Sequence, residues 1–332
     1  MNVRRLIPTT AVTGAVALGL LTLSACGGTS DAADKGSDGK LDVVASFYPM
    51  QYLAEQIGGG HVAVRTLTAP GVEPHDLELK PRQIGELADA DVLLYLKGIQ
   101  PAVDDAVAQA GVKNTVDAAT LTSVEGHGAE AGEGHDHAEE GGESHEGDSH
   151  EGHDHGSESG IDPHVWLDPV KYAEVAEGVG AAFAKADPDH APDYKANTAA
   201  LVKKLGALDT EFETGLKNTA TRTFITTHSA FGHLAERYHL EQEGISGLDP
   251  ESEPSPARIK ELQDVAKADK VSTVFFETLA SDKTAKTLAA DTGLKTDVLD
   301  PLEGITDKSR GADYVEVMRS NLAALKTALG AK

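Results

Sequence analysis

The sequence Asp162-Pro163-His164-Val165-Trp166-Leu167-Asp168-Pro169 lies at the middle of the 332-residue chain and contains its only tryptophan. Each proline fixes its own φ and biases the preceding aspartate towards extended backbone. The stretch therefore presents His164 from a stiff loop. This placement suits a metal ligand, a catalytic base or a histidine buried in a proline-bounded turn, and partners elsewhere in the sequence decide among these three.

Residues 1–25 have the composition of an export signal. Paired arginines precede the apolar run Ala11–Leu23, which is too short for a normal transmembrane helix. The run leads into Ser24-Ala25-Cys26, which resembles the bacterial lipobox, where cleavage exposes a cysteine that is then acylated. An ordinary signal peptide with a chance cysteine fits less well, because Cys26 is the only cysteine in the chain. We predict that Cys26 anchors the protein by lipid to the outer face of the cell membrane.

The chain is strongly acidic, with a formal net charge of −25. Nucleic acid is therefore excluded as an expected partner, since its phosphates require a basic face, and cations are the expected ligands. Residues 26–40 are rich in glycine, serine and charge, which predicts a flexible tether. The remaining chain is long enough for two ordinary domains, and we expect a monomer.

Strand and helix patterns alternate in both halves of the chain. Buried-strand runs such as Val92–Leu96 and Val271–Phe276 precede helical patterns, which implies parallel α/β sheets. Apolar residues spaced four and three apart from Tyr194 to Phe212 predict one long helix between the halves. The predicted fold is thus α/β, with two lobes joined by one long helix. The predicted boundaries are 41–186 for the first lobe, 187–218 for the linking helix and 219–332 for the second lobe.

A segment at 121–160 interrupts the first lobe. It contains twelve acidic residues and no Lys or Arg, and it holds seven of the fourteen histidines of the chain. This composition cannot bury enough apolar surface to fold, which predicts a disordered loop. A merely solvated linker does not explain the concentration of histidine, so we expect weak binding of zinc, nickel or copper. The two His-Asp-His sequences supply the accessory ligands His135, His137, His153 and His155.

Three of the other seven histidines stand where a ligand is expected. His75 lies in Glu73-Pro74-His75-Asp76, His164 lies in the opening stretch, and His228 follows the predicted strand Thr223–Thr227. Ligands of open α/β sheets bind beyond the carboxyl ends of strands, so we expect these three side chains to converge. A single histidine in any one of these positions is more often a structural or surface residue than a ligand. The remaining four are predicted to be packing or surface residues (His233 and His239) or exposed (His61 and His190).

The motifs around these histidines resemble those of the zinc solute-binding lipoproteins of ABC transporters. The resemblance runs from about Leu41 to Leu329 and implies that His75, His164 and His228 are metal ligands. It also implies a carboxylate ligand from the fourth motif. The motifs are Pro74-His75-Asp76, the opening stretch, Thr227-His228-Ser229-Ala230-Phe231 and Leu299-Asp300-Pro301-Leu302-Glu303.

The fourth ligand is Glu303, Asp300 or water. Asp300 would end the predicted strand Thr296–Leu299, and its short side chain is easily ordered. Glu303 has the longer reach, and its motif resembles that of zinc-binding members in which the glutamate ligates. We therefore favour Glu303. Three imidazoles and one carboxylate match the tetrahedral preference of Zn²⁺.

The resemblance implies that the protein captures Zn²⁺ between its lobes and delivers it to an ABC permease and its ATPase, without enzymatic activity. A manganese solute-binding protein is an alternative, since manganese relatives look richer in carboxylates. A surface zinc store and a zinc enzyme with an open three-histidine site are two others. A candidate fourth ligand and the lack of a HExxH-like motif speak against the enzyme.

Overall fold

In both halves of the chain, most of the short strands are followed by a helix. The computed structural model describes residues 39–110, 112, 114–124 and 161–332, all within the unit Ala33–Lys332. The predictions made for the signal segment, for Cys26, for the tether up to residue 38 and for positions 125–160 of the loop, with its four accessory histidines, lie outside the described residues. Residues 121–124 do not belong to a disordered loop as predicted, because Thr122 donates to Glu174 and the carbonyl of Ser123 accepts from Lys171.

The bounds of the elements follow the sequence patterns closely. The strands are β1 (Leu41–Ala45), β2 (Val62–Thr66), β3 (Val92–Tyr95), β4 (Thr115–Asp117), β5 (Thr223–Thr226), β6 (Glu241–Gly244), β7 (Thr273–Phe276) and β8 (Lys295–Val298). The helices are α1 (Tyr48–Gly58), α2 (Pro81–Asp89), α3 (Pro101–Ala110), α4 (Pro169–Ala186), α5 (Ala191–Leu216), α6 (Gly232–Arg237), α7 (Pro256–Ala268), α8 (Lys283–Thr292) and α9 (Tyr314–Ala328).

The eight strands form two four-stranded sheets in which every described pair is parallel. The strand orders are β2-β1-β3-β4 and β6-β5-β7-β8, so the two lobes share one topology. In each sheet the chain reverses its winding direction at the central pair, β1 with β3 and β5 with β7. A ligand site is expected beyond the carboxyl ends of such a pair. The predicted fold class is confirmed.

The sequence gives no signal for β6, whose residues Glu241-Gln242-Glu243-Gly244 lack an apolar pattern. The strand lies at the edge of its sheet and pairs only with β5. An edge strand can expose polar side chains to water, so pairing with a neighbour rather than burial defines it. A search for apolar alternation therefore misses it.

Local capping explains where two of the helices begin. The side chain of Asp168 accepts hydrogen bonds from the N–H groups of Val170 and Lys171, and Pro169 occupies the first position of α4. Ser255 caps α7 in the same way, because its hydroxyl accepts from the N–H of Arg258. Both caps satisfy donors that the first helical turn leaves free.

The long helix α5 packs against elements of both halves of the chain. It contacts α1 and α4, which precede it in the chain, and α9, which follows it. Its buried face confirms the apolar stripe that the sequence predicts. The buried residues of this face are Tyr194, Thr198, Leu201, Leu205, Leu208, Phe212 and Leu216. All of these side chains except that of Thr198 join one apolar cluster that includes residues from Leu41 to Leu329, so the two lobes share a core.

The opening stretch is bound to the second half of the chain by hydrogen bonds. The fully buried Trp166 donates from Nε1 to the carbonyl of Pro301 at 2.7 Å, and the hydroxyl of Tyr314 donates to the carbonyl of Trp166 at 2.5 Å. Arg237 donates to the Oδ2 atom of Asp168 at 2.8 Å from Nε and 2.7 Å from Nη2. The stretch lies before α5 in the sequence, yet these hydrogen bonds join it to residues that follow α5.

Helices that could cross a membrane are absent from the described part of the chain, since none combines enough length with enough apolar character.

Replacing Trp166 by Phe should lower the free energy of unfolding by about 1–3 kcal/mol. The buried carbonyl of Pro301 loses its donor, and the smaller ring leaves a gap beside Phe47, whose ring centroid lies 5.0 Å from that of Trp166. Urea unfolding of the metal-free protein measures this loss.

Arg319→Ala is the matched control, because it also removes a contact between α9 and α5. Arg319 pairs with Glu211 at 2.8 Å on an exposed surface, and such pairs contribute about 0–1 kcal/mol. A Trp166→Phe variant no less stable than Arg319→Ala would show that the tryptophan contact does not hold the lobes together.

Candidate metal centre

Four side chains from separate segments meet in one buried pocket. One ligand atom from each of His75, His164, His228 and Glu303 lies within 4.8 Å of the other three. Oε1 of Glu303 is 3.5 Å from Nε2 of His75, 3.4 Å from Nε2 of His164 and 3.3 Å from Nε2 of His228. The structure thus brings together the four residues that the sequence analysis singles out.

The topology of the second sheet brings two of these four side chains, and one further carboxylate, to the same edge of the sheet. His228 follows β5, Glu277 follows β7 directly, and Glu303 lies in the turn after β8. Parallel strands end at the same edge of the sheet, and β5 and β7 are the central pair where the winding reverses. His75 comes from the loop between β2 and α2, and His164 directly precedes a 3₁₀ turn.

The four groups differ in their contact with water. The side chains of His164 and Glu303 are fully buried, and that of His228 is nearly so at 1 % exposure. His75 retains 12 % of its side-chain exposure and is the group nearest to solvent.

His164 is oriented by the aspartate that begins the opening stretch. Its Nδ1 lies 2.7 Å from Oδ1 of Asp162, and the same oxygen accepts a bond of 2.9 Å from the backbone N–H of His164. Nε2 of His233 lies 2.8 Å from the carbonyl oxygen of Asp162. A histidine that donates from Nδ1 to a carboxylate directs its Nε2 lone pair at a metal, so Asp162 and His233 support the site from behind.

His228 has a carboxylate partner of the same kind. Nδ1 of His228 lies 2.6 Å from Oε1 of Glu277, and the hydroxyl of Thr227 donates to that oxygen as well. The sequence analysis misses Glu277. Its only signal is its position directly after a buried strand, at the same sheet edge as His228.

The charges of the pocket compensate one another. Burial by itself would raise the pKa of Glu303, but the adjacent imidazoles of His164 and His228 hold that pKa well below its usual range. Burial opposes the charged form of His228, yet the nearby carboxylate of Glu277 raises the pKa of this imidazole well above its usual value. Burial likewise opposes the charged form of His164, and Asp162 and Glu303 raise its pKa.

A third glutamate, also missed by the sequence analysis, lies beside Glu303. Burial and the negative charge of Glu303 raise the pKa of Glu73 to about 9, so this carboxyl keeps its proton at neutral pH. Its Oε1 accepts a hydrogen bond of 3.3 Å from the backbone N–H of His75. The sequence offers only its place two residues before His75 as a signal.

Asp300 lies outside the cluster and serves the turn that carries Glu303. Its Oδ1 accepts a bond of 2.9 Å from the backbone N–H of Leu302, and its Oδ2 accepts a bond of 3.2 Å from the hydroxyl of Thr278. Leu302 has a left-handed φ of 59°, which is uncommon for a branched residue. Its full burial and its bond to Asp300 hold this conformation, which positions Glu303 in the pocket.

The histidines outside the pocket differ from their predicted placement in one respect. His239 is exposed and His233 is buried, within the predicted range of packing or surface roles. His61 and His190 are not the exposed residues that the sequence predicts. Their rings stack with centroids 3.9 Å apart and keep about a third of their exposure, at 33 % and 32 %. The short 3₁₀ turn before α5 brings them together.

The sequence matches the family described as ZnuA, zinc-uptake complex component A periplasmic, over residues 43–328. The chain belongs to this family. The resemblance to zinc solute-binding proteins that the motifs indicate is thereby confirmed.

Members of the family share much of the sequence and the fold. The chain is 38 % identical over 319 residues to the high-affinity zinc uptake system protein ZnuA of Bacillus subtilis strain 168, covering 95 % of this chain and 96 % of that protein. It is 36 % identical over 298 residues to the zinc-binding lipoprotein AdcA of Streptococcus pneumoniae TIGR4, covering 88 % of this chain. It spans only 56 % of the length of that AdcA protein.

A solved relative has the same architecture. The crystal structure of the Zn(II)-bound ZnuA-like domain of Streptococcus pneumoniae AdcA superimposes with a TM-score of 0.69 at 32 % identity. The match covers 88 % of this chain and 99 % of that domain.

The metal-free protein should lose stability as the pH rises from about 6 to about 9. His164, His228 and Glu73 all have raised pKa values, so the folded state binds protons that the unfolded state releases. Their contribution is complete below the unfolded pKa of each group and disappears above the raised value. Thermal unfolding in excess chelator should show a melting temperature lower by several degrees at about pH 9, since 1 kcal/mol shifts it by about 2–4 °C.

Glu73→Gln is the control, because the amide cannot ionise. Its melting temperature should fall less steeply above about pH 7 than that of the unsubstituted protein. A melting temperature that stays level or increases over this range would contradict the assigned shifts.

Proposed function

We propose that this chain captures Zn²⁺ with His75, His164, His228 and Glu303 and delivers it to an ABC permease and its ATPase. One observation carries this proposal: three Nε2 atoms and one carboxylate converge, buried, and none has a hydrogen-bond partner among the described residues. Buried polar atoms without partners cost free energy, and a cation bound by all four removes that cost.

The donor set supports zinc. Zn²⁺ binds imidazole nitrogen and carboxylate oxygen in tetrahedral sites, and three histidines with one glutamate complete such a shell. Asp162 and Glu277 hold Nδ1 of two of the imidazoles, which leaves their Nε2 atoms for the ion. The Bacillus subtilis relative is named as a high-affinity zinc uptake protein, which agrees with this cargo.

Transport is a better proposal than catalysis. A zinc enzyme needs an open coordination position for water, whereas Glu303 stands at the fourth position of this pocket. The proposed protein therefore holds its ion until it reaches the permease, and it acts as a monomer.

We propose a place for the two parts of the chain outside the described residues. Cys26 would carry the lipid that holds the protein on the outer face of the cell membrane. In this proposal the histidines at 135, 137, 153 and 155 collect zinc more weakly than the preformed pocket does. The Streptococcus pneumoniae relative is named as a lipoprotein, which supports the anchor.

His228→Ala should weaken zinc binding on the order of 100-fold, whereas Glu303→Gln should weaken it on the order of 10-fold. The alanine removes a ligand and leaves the carboxylate of Glu277 buried beside it, while the amide of glutamine keeps an oxygen in place of the carboxylate. Competition with a chromophoric chelator measures both affinities.

Asp300→Asn is the control, because Asp300 holds the turn but lies outside the cluster. If it abolished tight binding while Glu303→Gln bound zinc like the unsubstituted protein, the fourth ligand would be Asp300.

A variant lacking Gly126–Gly156 should keep the tight site and lose the weak ones. Loss of the tight site there would mean that the segment supplies primary ligands.

Growth of a zinc-starved deletion strain tests transport itself. The unsubstituted gene should restore zinc uptake, and the His228→Ala gene should not. Restoration by both genes would show that the pocket is not the transport site, and restoration by neither would favour storage.

Cys26→Ser should prevent lipid attachment, so that the protein is released or its processing is impaired. Two or three acyl chains on one cysteine give stable anchoring that no other feature of the proposed tether supplies. Fractionation of cells expressing the variant measures the change. Mature Cys26→Ser protein that still fractionates with the membrane would contradict the anchor.

A further inference from the structure

Three carboxylates form a second cluster that overlaps the proposed zinc site. One oxygen from each of Glu73, Glu277 and Glu303 lies within 4.8 Å of the other two. Glu277 and Glu303 are buried, with exposures of 4 % and 1 %, and Glu73 is partly buried. Glu303 belongs to both clusters, so the cluster with three histidines and the cluster of three glutamates have this one carboxylate in common.

Glu73 and Glu277 are each fixed through one oxygen and carry a second one without a partner. Oε1 of Glu73 accepts from the N–H of His75, and Oε1 of Glu277 contacts His228. Oε2 of each residue and both oxygens of Glu303 are buried and have no hydrogen-bond partner among the described residues. The ion pairs of the described residues include no Lys or Arg paired with these three. In the metal-free pocket the proton on Glu73 offsets part of the cost of this arrangement, and a cation bound by all three residues would displace that proton.

We propose that Glu73, Glu277 and Glu303 are a second ligand set, through which the pocket takes a hard divalent cation such as Mn²⁺ in place of Zn²⁺. Hard cations prefer carboxylate oxygen, whereas the three imidazoles suit zinc. Water molecules would complete the larger coordination shell that a hard ion requires.

The two ions should exclude each other. Two divalent ions sharing Glu303 would place four positive charges beside three carboxylates in a buried pocket, which burial disfavours. Manganese bound to the oxygen set should therefore leave when zinc enters the nitrogen set. The inference rests on the proposed function only through Glu303.

The experiment compares two substitutions in one loop, using the full mature chain. Glu73→Gln should weaken Mn²⁺ binding about 10-fold or more and change the Zn²⁺ affinity less than about 3-fold. His75→Ala should do the reverse, because it removes a nitrogen ligand and leaves the three carboxylates. Electron paramagnetic resonance measures bound Mn²⁺, and one equivalent of Zn²⁺ should displace it. Glu78→Gln is the matched control, since this exposed carboxylate of the same loop should affect neither ion.

All these variants retain the histidine-rich segment, so weak binding there contributes equally to each. Glu73→Asp, which keeps the charge on a shorter side chain, should retain part of the Mn²⁺ affinity. Melting temperatures of the metal-free variants identify any that fail to fold. The proposal is overturned if Mn²⁺ does not bind saturably, or if Glu73→Gln and His75→Ala change the two affinities in the same ratio. Failure of the zinc function would instead appear as the absence of tight Zn²⁺ binding by the unsubstituted protein.

Discussion

The hydrogen bond from Trp166 to the carbonyl of Pro301 links the two halves of the pocket. His164 lies two residues before the donor, and Glu303 lies two residues after the acceptor. A bond of 2.7 Å between them therefore fixes the separation of two groups that belong to different lobes. Tyr314 strengthens the same junction by donating to the carbonyl of Trp166. The shape of the pocket thus depends on the packing around one buried indole.

Charge balance is the second condition for a pocket of this kind. Buried carboxylates and imidazoles are each unfavourable alone, and here every imidazole with a raised pKa faces a carboxylate. In the metal-free pocket protons on these groups provide the compensation. A cation that binds the same atoms must displace those protons, so binding and proton release are coupled. The assembled groups are thus held in place before an ion arrives.

The sequence predicts those parts of the molecule that depend on neighbours along the chain. The buried runs at β3 and β7 and the stripe of α5 are local patterns, and the structure confirms them. The convergence of three histidines follows from the rule for strand ends. Glu277 and the edge strand β6 depend on partners far away in sequence, and Glu73 matters through its closeness to Glu303, so no local pattern predicts these features. The stacking of His61 on His190 is hidden for the same reason.

The contacts that join the opening stretch to the rest of the chain are mostly of one chemical type. Trp166 bonds to the carbonyl of Pro301, Tyr314 to that of Trp166, and His233 to that of Asp162. A carbonyl is present whatever side chain its residue carries. Substitution of a donor in a related protein therefore cannot be compensated by a change at the acceptor position. Paired substitutions across an alignment would not reveal this junction, and it would show only as three separately invariant donors.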